Sequence, residues 1–207
     1  MKIDYRLYLV TDRTLTGETH FYEKVQQALK GGVTLLQVRE KEVGSREFYD
    51  ITCTLKKIAA PFGVPVIVND RLDIALAADA DGLHIGEGDL PVEVARKWLG
   101  NRKLLGYSAG SPSSAAYGER MGADYIGAGA VFPTDSKKDA GTAIGLKTLE
   151  EVVKSVGIPV VGIGGISAAN LSQVKATGVA GVSLISAVLG HAEPEKAAKE
   201  LTLQWTT

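Results

Sequence analysis

Cysteine is nearly missing: Cys53 stands alone in 207 residues, so no internal disulfide framework exists. A chain of this length buries enough surface to fold without such staples. Cys53 lies inside a helical pattern, where an inert buried thiol is expected, and the lack of cysteine suits a reducing compartment. Charge of one sign is equally scarce. Lys and Arg number 23 against 24 Asp and Glu, a net of −1, which gives no general field for nucleic acid or an anionic membrane. A hydrophobic share of 45% excludes intrinsic disorder. No run approaches the roughly 18 apolar residues needed to span a bilayer. Met1-Lys2-Ile3-Asp4 opens without the basic and apolar regions of a cleavable signal. The expectation is one soluble cytoplasmic domain over residues 1–207. What is abundant is glycine, 24 residues, where usage near ~7% is ordinary. Such an excess points to turns or to close approaches of backbone to something else.

Short apolar runs alternate with longer helical patterns. The expected strands are Leu7–Thr11, Leu35–Arg39, Val66–Asn69, Gly82–Ile85, Leu104–Ser108, Tyr125–Ala128, Val160–Ile163 and Val182–Ile185. Most are apolar on both faces, as in buried parallel sheets. The expected helices are Tyr22–Lys30, Ser45–Pro61, Leu72–Ala78, Val92–Leu99, Ser113–Met121, Leu146–Val156, Ala168–Thr177 and Glu193–Leu201. In Ser45–Pro61, Phe48, Ile51, Leu55 and Ile58 recur at the three-to-four spacing of an amphipathic helix. Gly31-Gly32, Gly122, Gly157 and Gly178 follow helical patterns and suit left-handed caps. Eight strand–helix units of about 26 residues each point to an α/β (β/α)8 TIM barrel rather than a doubly wound sheet.

In such barrels the active site lies where the strands end. The second strand ends in Gln37-Val38-Arg39-Glu40-Lys41, the third in Asn69-Asp70-Arg71, and the fifth at Ser108. The fourth is followed by Gly86-Glu87-Gly88-Asp89, the sixth by Phe132–Asp139, the seventh by Gly164-Gly165 and the eighth by Ser186-Ala187. Three chemistries fit. Arg39, Lys41 and Lys137 suit a phosphate. Asp70 and Asp89 are hard oxygen ligands of the kind that hold Mg²⁺ together with phosphate oxygens. The last two strand ends offer bare backbone N–H groups for a monophosphate. A phosphorylated acceptor and a diphosphate-activated donor would use all three.

Each feature has a plainer reading alone. Arg39-Glu40-Lys41 could be solvated charge, Asp70 a helix N-cap, Gly164-Gly165 a turn, and Asn69 a strand-end brace. Their joint placement on one rim argues against all four at once. His84, inside the fourth strand, reads as a satisfied buried histidine; His20 and His191 read as loop residues. Trp98 and Trp205 read as packing groups.

From near its start to about Leu189 the chain resembles the thiamine-phosphate synthase family. The matching stretches are Tyr8–Asp12, Gly31–Lys41, Asn69-Asp70-Arg71, Ala80–Gly86, Gly122–Gly127, Val131–Asp139, Ile163–Ile166 and Ile185–Ala187, in family order. The resemblance implies a Mg²⁺-dependent transferase that joins hydroxymethylpyrimidine diphosphate to thiazole phosphate, giving thiamine phosphate and pyrophosphate. It implies that Gln37, Val38, Arg39, Glu40, Lys41, Asn69, Ser108 and Lys137 hold the pyrimidine diphosphate. Arg39, Lys41, Ser108 and Lys137 would be its catalytic groups. Asp70 and Asp89 would hold the metal. Thr134, Asp135, Ser136, Gly165, Ile185 and Ser186 would hold the thiazole phosphate. In that mechanism pyrophosphate leaves early and a pyrimidine carbocation is captured by the thiazole nitrogen, with no protein nucleophile. Thr134–Thr142, with Gly141, would be a closing lid. Beyond the small-molecule substrates no partner is implied, and a homo-oligomer is compatible.

Some positions depart from the family pattern: Glu87 and Gly88 after His84-Ile85-Gly86, Ser136 for a threonine, and Tyr107 before Ser108. The nearest rival is the thiazole tautomerase branch, which lacks the metal-binding Asp and carries a histidine where this chain has Gly110. A non-catalytic phosphate-binding barrel and a sugar-phosphate epimerase or indole-pathway barrel are further rivals. The latter two need acid/base pairs that this rim scarcely supplies.

Overall fold

The computed structural model describes residues 3–134 and 141–207. Eight parallel strands close on themselves in sequence order: β1 Leu7–Val10, β2 Leu35–Val38, β3 Val66–Asn69, β4 Gly82–Ile85, β5 Leu104–Ala109, β6 Tyr125–Gly129, β7 Val160–Ile163 and β8 Gly181–Leu184. The ring closes where β1 pairs with β8, Tyr8 opposite Ser183. This is the (β/α)8 barrel expected from the alternation.

Among the described residues the helices are α1 Phe21–Lys30, α2 Ser45–Ala59, α3 Leu72–Ala77, α4 Val92–Leu99, α5 Pro112–Arg120, α6 Gly145–Ser155, α7 Leu171–Lys175, α8 Ser186–Leu189 and α9 Pro194–Thr206. Side chains alternate across each strand. One set, including Leu36, Val38, Val68, Leu83 and Leu105, enters the main core between barrel and helices. The other fills the barrel interior with Tyr5, Tyr8, Leu35, Ile67, Tyr125 and Val161. Polar residues on this inward set, two positions further along a strand, are thereby carried toward the C-terminal rim.

Several local expectations differ from the structure. Short 3-10 turns at Arg13–Leu15 and Glu18–His20 follow β1, and α8 was not anticipated. Helix α7 is shorter than Ala168–Thr177 and α9 runs beyond Leu201, with Trp205 packed on the core. Trp98, by contrast, is 65% exposed, because α4 buries the Val92, Ala95 and Leu99 stripe instead. Cys53 is half-buried rather than buried. Gly32 has the left-handed φ of 106° expected of a cap, but Gly31 has an ordinary φ of −74°. A Cβ on Gly31 would meet Ala198 Cβ at 2.6 Å, so that glycine lets α1 lie close against α9. Gly157 is likewise no left-handed cap.

Candidate functional site

A cavity of about 960 Å³ opens at the C-terminal end of the barrel. Strands β2 to β5 and their loops supply Arg39, Lys41, Asn69, Asp70, His84, Asp89 and Ser108. Strands β6 to β8 and their loops supply Thr134, Gly164, Gly165, Ile185 and Ser186. The loop after β1 adds Leu15, which nothing in the sequence pattern marked.

The carboxylates converge. Asp70 adopts a left-handed φ of 62°, a conformation Asp tolerates better than most residues, and its backbone N–H is held by the His84 carbonyl at 2.8 Å. Lys41 Nζ donates to Asp70 Oδ2 at 2.6 Å. The N-cap of α3 is Arg71, with no side-chain capping bond, so the plain reading of Asp70 as a helix cap does not hold. Asp89 Oδ2 accepts from the Gly86 N–H at 2.7 Å. Burial raises the Asp89 pKa, and the neighbouring Asp70 charge raises it further against the Gly86 bond. Two carboxylates brought together at neighbouring strand ends form a hard-oxygen set suited to a divalent cation that also takes substrate oxygens.

Three expected contacts are placed elsewhere. Val38 is fully buried, its side chain in the helix-facing core, so only its backbone can reach a ligand. Glu40 is turned away to Arg13, whose Nε lies 3.1 Å from Glu40 Oε1 and which also pairs with Glu47 at 2.8 Å. Burial raises the Glu40 pKa while Arg13 pulls it back. Gln37 lies below the cavity, 2% exposed, and donates through Nε2 to the Tyr8 hydroxyl at 2.7 Å. Asp135, Ser136 and Lys137, with the rest of 135–140 in the expected lid, lie outside the described residues.

The β7 loop is braced from a distance. Gly164 and Gly165 have φ of 97° and 65°, and a Cβ on them would crowd Ala130 and Phe132 at 2.6 and 2.7 Å. Asn170 fixes their position: its Oδ1 accepts from Ser167 N and its Nδ2 donates to Gly165 O, each at 2.9 Å. The sequence pattern did not mark Asn170, nor Ser183, a buried inward residue of β8 whose Oγ has no partner among the described residues. Ser183 carried a usable signal, being the polar residue of an otherwise apolar strand. Tyr107 faces away from the site, edge-on to Tyr117 of α5 with centroids 5.9 Å apart. A Cβ on Gly118 would press Tyr107 at 2.6 Å, so glycine in α5 accommodates that departure from the pattern.

Fold and rim define the class first: a (β/α)8-barrel enzyme with a polar pocket at the C-terminal ends of its strands. The chain matches the family described as "Thiamine monophosphate synthase" over residues 7–188. It is 60% identical to the thiamine-phosphate synthase of Desulfitobacterium hafniense over 99% of each chain. With the enzyme of that name from Ruminiclostridium cellulolyticum it shares 50% over 97% of this chain and 95% of that one. The solved thiamine phosphate pyrophosphorylase of Pyrococcus furiosus superposes with a TM-score of 0.90 at 43% identity, over 98% of this chain and 96% of that one. This chain belongs to the thiamine monophosphate synthase family.

Proposed function

We propose that the chain is a Mg²⁺-dependent thiamine-phosphate synthase that transfers hydroxymethylpyrimidine from its diphosphate to thiazole phosphate. The observation that carries this reading is the meeting of Asp70, Asp89, Arg39, Lys41 and Ser108 on one part of a single pocket, with Thr134, Gly165, Ile185 and Ser186 completing the rest. The first set suits a departing diphosphate. The second, with glycine backbone after β7 and a short helix opening at Ser186 after β8, suits a monophosphate.

Asp70 and Asp89 would hold Mg²⁺, which when bound supplies positive charge to the diphosphate oxygens. Arg39 forks onto phosphate oxygens, Lys41 adds a compact charge, and Ser108 donates a hydrogen bond. Lys137 belongs to the same role. The bond from the pyrimidine methylene carbon to the diphosphate oxygen breaks, and both electrons leave with pyrophosphate. The ring's amino group stabilises the resulting cation. The thiazole nitrogen then gives its lone pair to that carbon. What the protein contributes is neutralisation of leaving-group charge and alignment of the two rings. No protein nucleophile enters the sequence. In this reading the chain works in the cytoplasm on small molecules alone; no helix among the described residues is long and apolar enough to cross a membrane.

The test is to incubate the folded protein with both substrates and Mg²⁺ and to measure thiamine phosphate and pyrophosphate. Equal amounts of the two products are expected. No product above a control without enzyme would end this reading.

A further inference from the structure

A continuous line of hydrogen bonds crosses the barrel interior. Gln37 Nε2 donates to the Tyr8 hydroxyl at 2.7 Å, and the Tyr8 and Tyr125 hydroxyls are 2.8 Å apart. The Tyr125 hydroxyl is 3.0 Å from His84 Nδ1, and His84 Nε2 is 2.9 Å from Ser108 Oγ. Five strands supply one residue each. Gln37, Tyr8, Tyr125 and His84 are all at most 7% exposed, and only His84 and Ser108 reach the pocket wall. The line runs from the closed interior to the site.

Its sense follows from what each group can donate. An amide nitrogen only donates, so the Tyr8 oxygen accepts from Gln37 and its own O–H donates to the Tyr125 oxygen. The Tyr125 O–H in turn donates a hydrogen bond to His84 Nδ1. An imidazole that accepts at Nδ1 carries its proton on Nε2, which faces Ser108. Ser108 Oγ then accepts from the ring, and its own hydrogen is left to the pocket. Gln37 Oε1, at the far end, has no partner among the described residues. An unpaired carbonyl there is more tolerable than the unpaired amide N–H groups that the reverse sense would leave.

The backbone is cut to fit this line. A Cβ on Gly106 of β5 would overlap His84 Nδ1 and the Tyr125 ring, and one on Gly127 of β6 would lie 3.0 Å from His84 Cε1. Glycine at both positions admits the two rings side by side, with centroids 5.5 Å apart.

We propose that His84 is a positioning residue, locked as the Nε2–H tautomer by Gln37, Tyr8 and Tyr125, and that it turns the Ser108 hydroxyl hydrogen into the pocket toward an anionic oxygen of the diphosphate. The inference rests on the role given to Ser108 under the proposed function. A serine hydroxyl left alone rotates to suit whatever is near. One whose acceptor side is already taken by a fixed N–H donates in a set direction, with no reorganisation when charge develops. Burial raises the Tyr8 and Tyr125 pKa values, which keeps both hydroxyls protonated and the line intact.

The first experiment is nitrogen NMR of the His84 ring in the wild-type protein. The expected spectrum has Nε2 protonated and Nδ1 bare; a proton on Nδ1 overturns the proposal. Kinetics supply the second arm. Ser108→Ala is expected to lower kcat by about 10²-fold, the usual effect of removing one well-placed donor. Tyr125→Phe, which removes one oxygen far from substrate, is expected to lower kcat about tenfold with KM for thiazole phosphate unchanged, and to mix the tautomers. In the Ser108→Ala background, Tyr125→Phe is expected to change nothing further. Wild-type rates in Ser108→Ala would remove the reading of the site itself. A fall in that variant, with Tyr125→Phe either silent or equally harmful in both backgrounds, would overturn the positioning role alone. If Tyr125→Phe does not fold, His84→Gln and His84→Leu replace it. Glutamine carries an amide N–H near the ring Nε2 position and is expected to keep at least tenfold more kcat; equal rates overturn the proposal.

Discussion

At the scale of single residues the site is decided by which charges are committed to the protein and which face the pocket. Glu40 is committed to Arg13, with its side chain 7% exposed and that of Arg13 18% exposed. Arg13→Ala strands a buried carboxylate and is expected to cost about 1–3 kcal/mol, less than a fully buried pair because water still reaches the guanidinium. Glu40→Gln removes the charge as well and is expected to cost less than Arg13→Ala. Urea midpoints of the two variants check the order. Asp70 and Asp89 line the pocket, and the Lys41 that pairs with Asp70 lines it too. Asp70→Ala and Asp89→Ala are each expected to lower turnover by about 10²-fold while leaving the fold intact, with the deficit largest at limiting Mg²⁺. Initial rates across a Mg²⁺ series measure this, and wild-type rates at low Mg²⁺ would refute the metal assignment. That Asp70, Asp89, Arg39, Lys41 and Ser108 share a rim was legible, because each falls where a strand run stops. That Glu40 turns away was not. Its partner comes from an irregular turn after β1, and no period in the sequence announces such a turn.

Elements formed where period and burial agree. Val66–Asn69, Gly82–Ile85, Val160–Ile163 and Val92–Leu99 have the same bounds in sequence and structure, since continuous apolar runs or a clear helical stripe define them. Helix α8 was illegible because four residues carry no period. Helix α7 begins late because Asn170 spends its side chain on the preceding turn, a local competition that apolar spacing cannot show. Asn170→Ala is expected to loosen that turn, raising KM for thiazole phosphate several-fold with little change in KM for the diphosphate, as two-substrate kinetics would read. The glycine excess also resolves at this scale. Alanine would ordinarily be preferred to glycine inside a strand, yet Gly106→Ala drives a methyl into Tyr125 and His84. It is expected to cost about 3 kcal/mol or more. Gly88→Ala, where a Cβ would meet nothing within 4 Å among the described residues, is the control and is expected to stay within about 0.5 kcal/mol. Equal denaturant midpoints for the two would mean that β5 can move aside.

For the whole molecule, the barrel interior ties fold stability to the same groups that lead to Ser108. Tyr5, Tyr8 and Tyr125 fill the interior beneath the pocket, with Tyr5 and Tyr125 ring centroids 5.1 Å apart and Tyr8 edge-on to Tyr125 at 5.9 Å. Burial raises all three pKa values above the ordinary tyrosine range, and the Asp124 charge adds to the effect on Tyr5. In the unfolded chain these hydroxyls ionise near pH 10, while in the barrel they stay protonated. Above that pH the unfolded chain binds fewer protons than the folded one, so stability is fully present below pH ~10 and is lost as pH rises toward the folded values. The loss is expected to reach about 1.4 kcal/mol per pH unit for each tyrosine that stays protonated. Tyr8→Phe removes one of the buried titrating groups and is expected to make the alkaline slope shallower, even though it lowers stability at neutral pH by breaking the bond to Gln37. Denaturant unfolding from pH 8 to 11 on both proteins measures the difference. Parallel slopes would show that the hydroxyls ionise inside the folded barrel, and with them would go the protonated line on which the orientation of Ser108 depends.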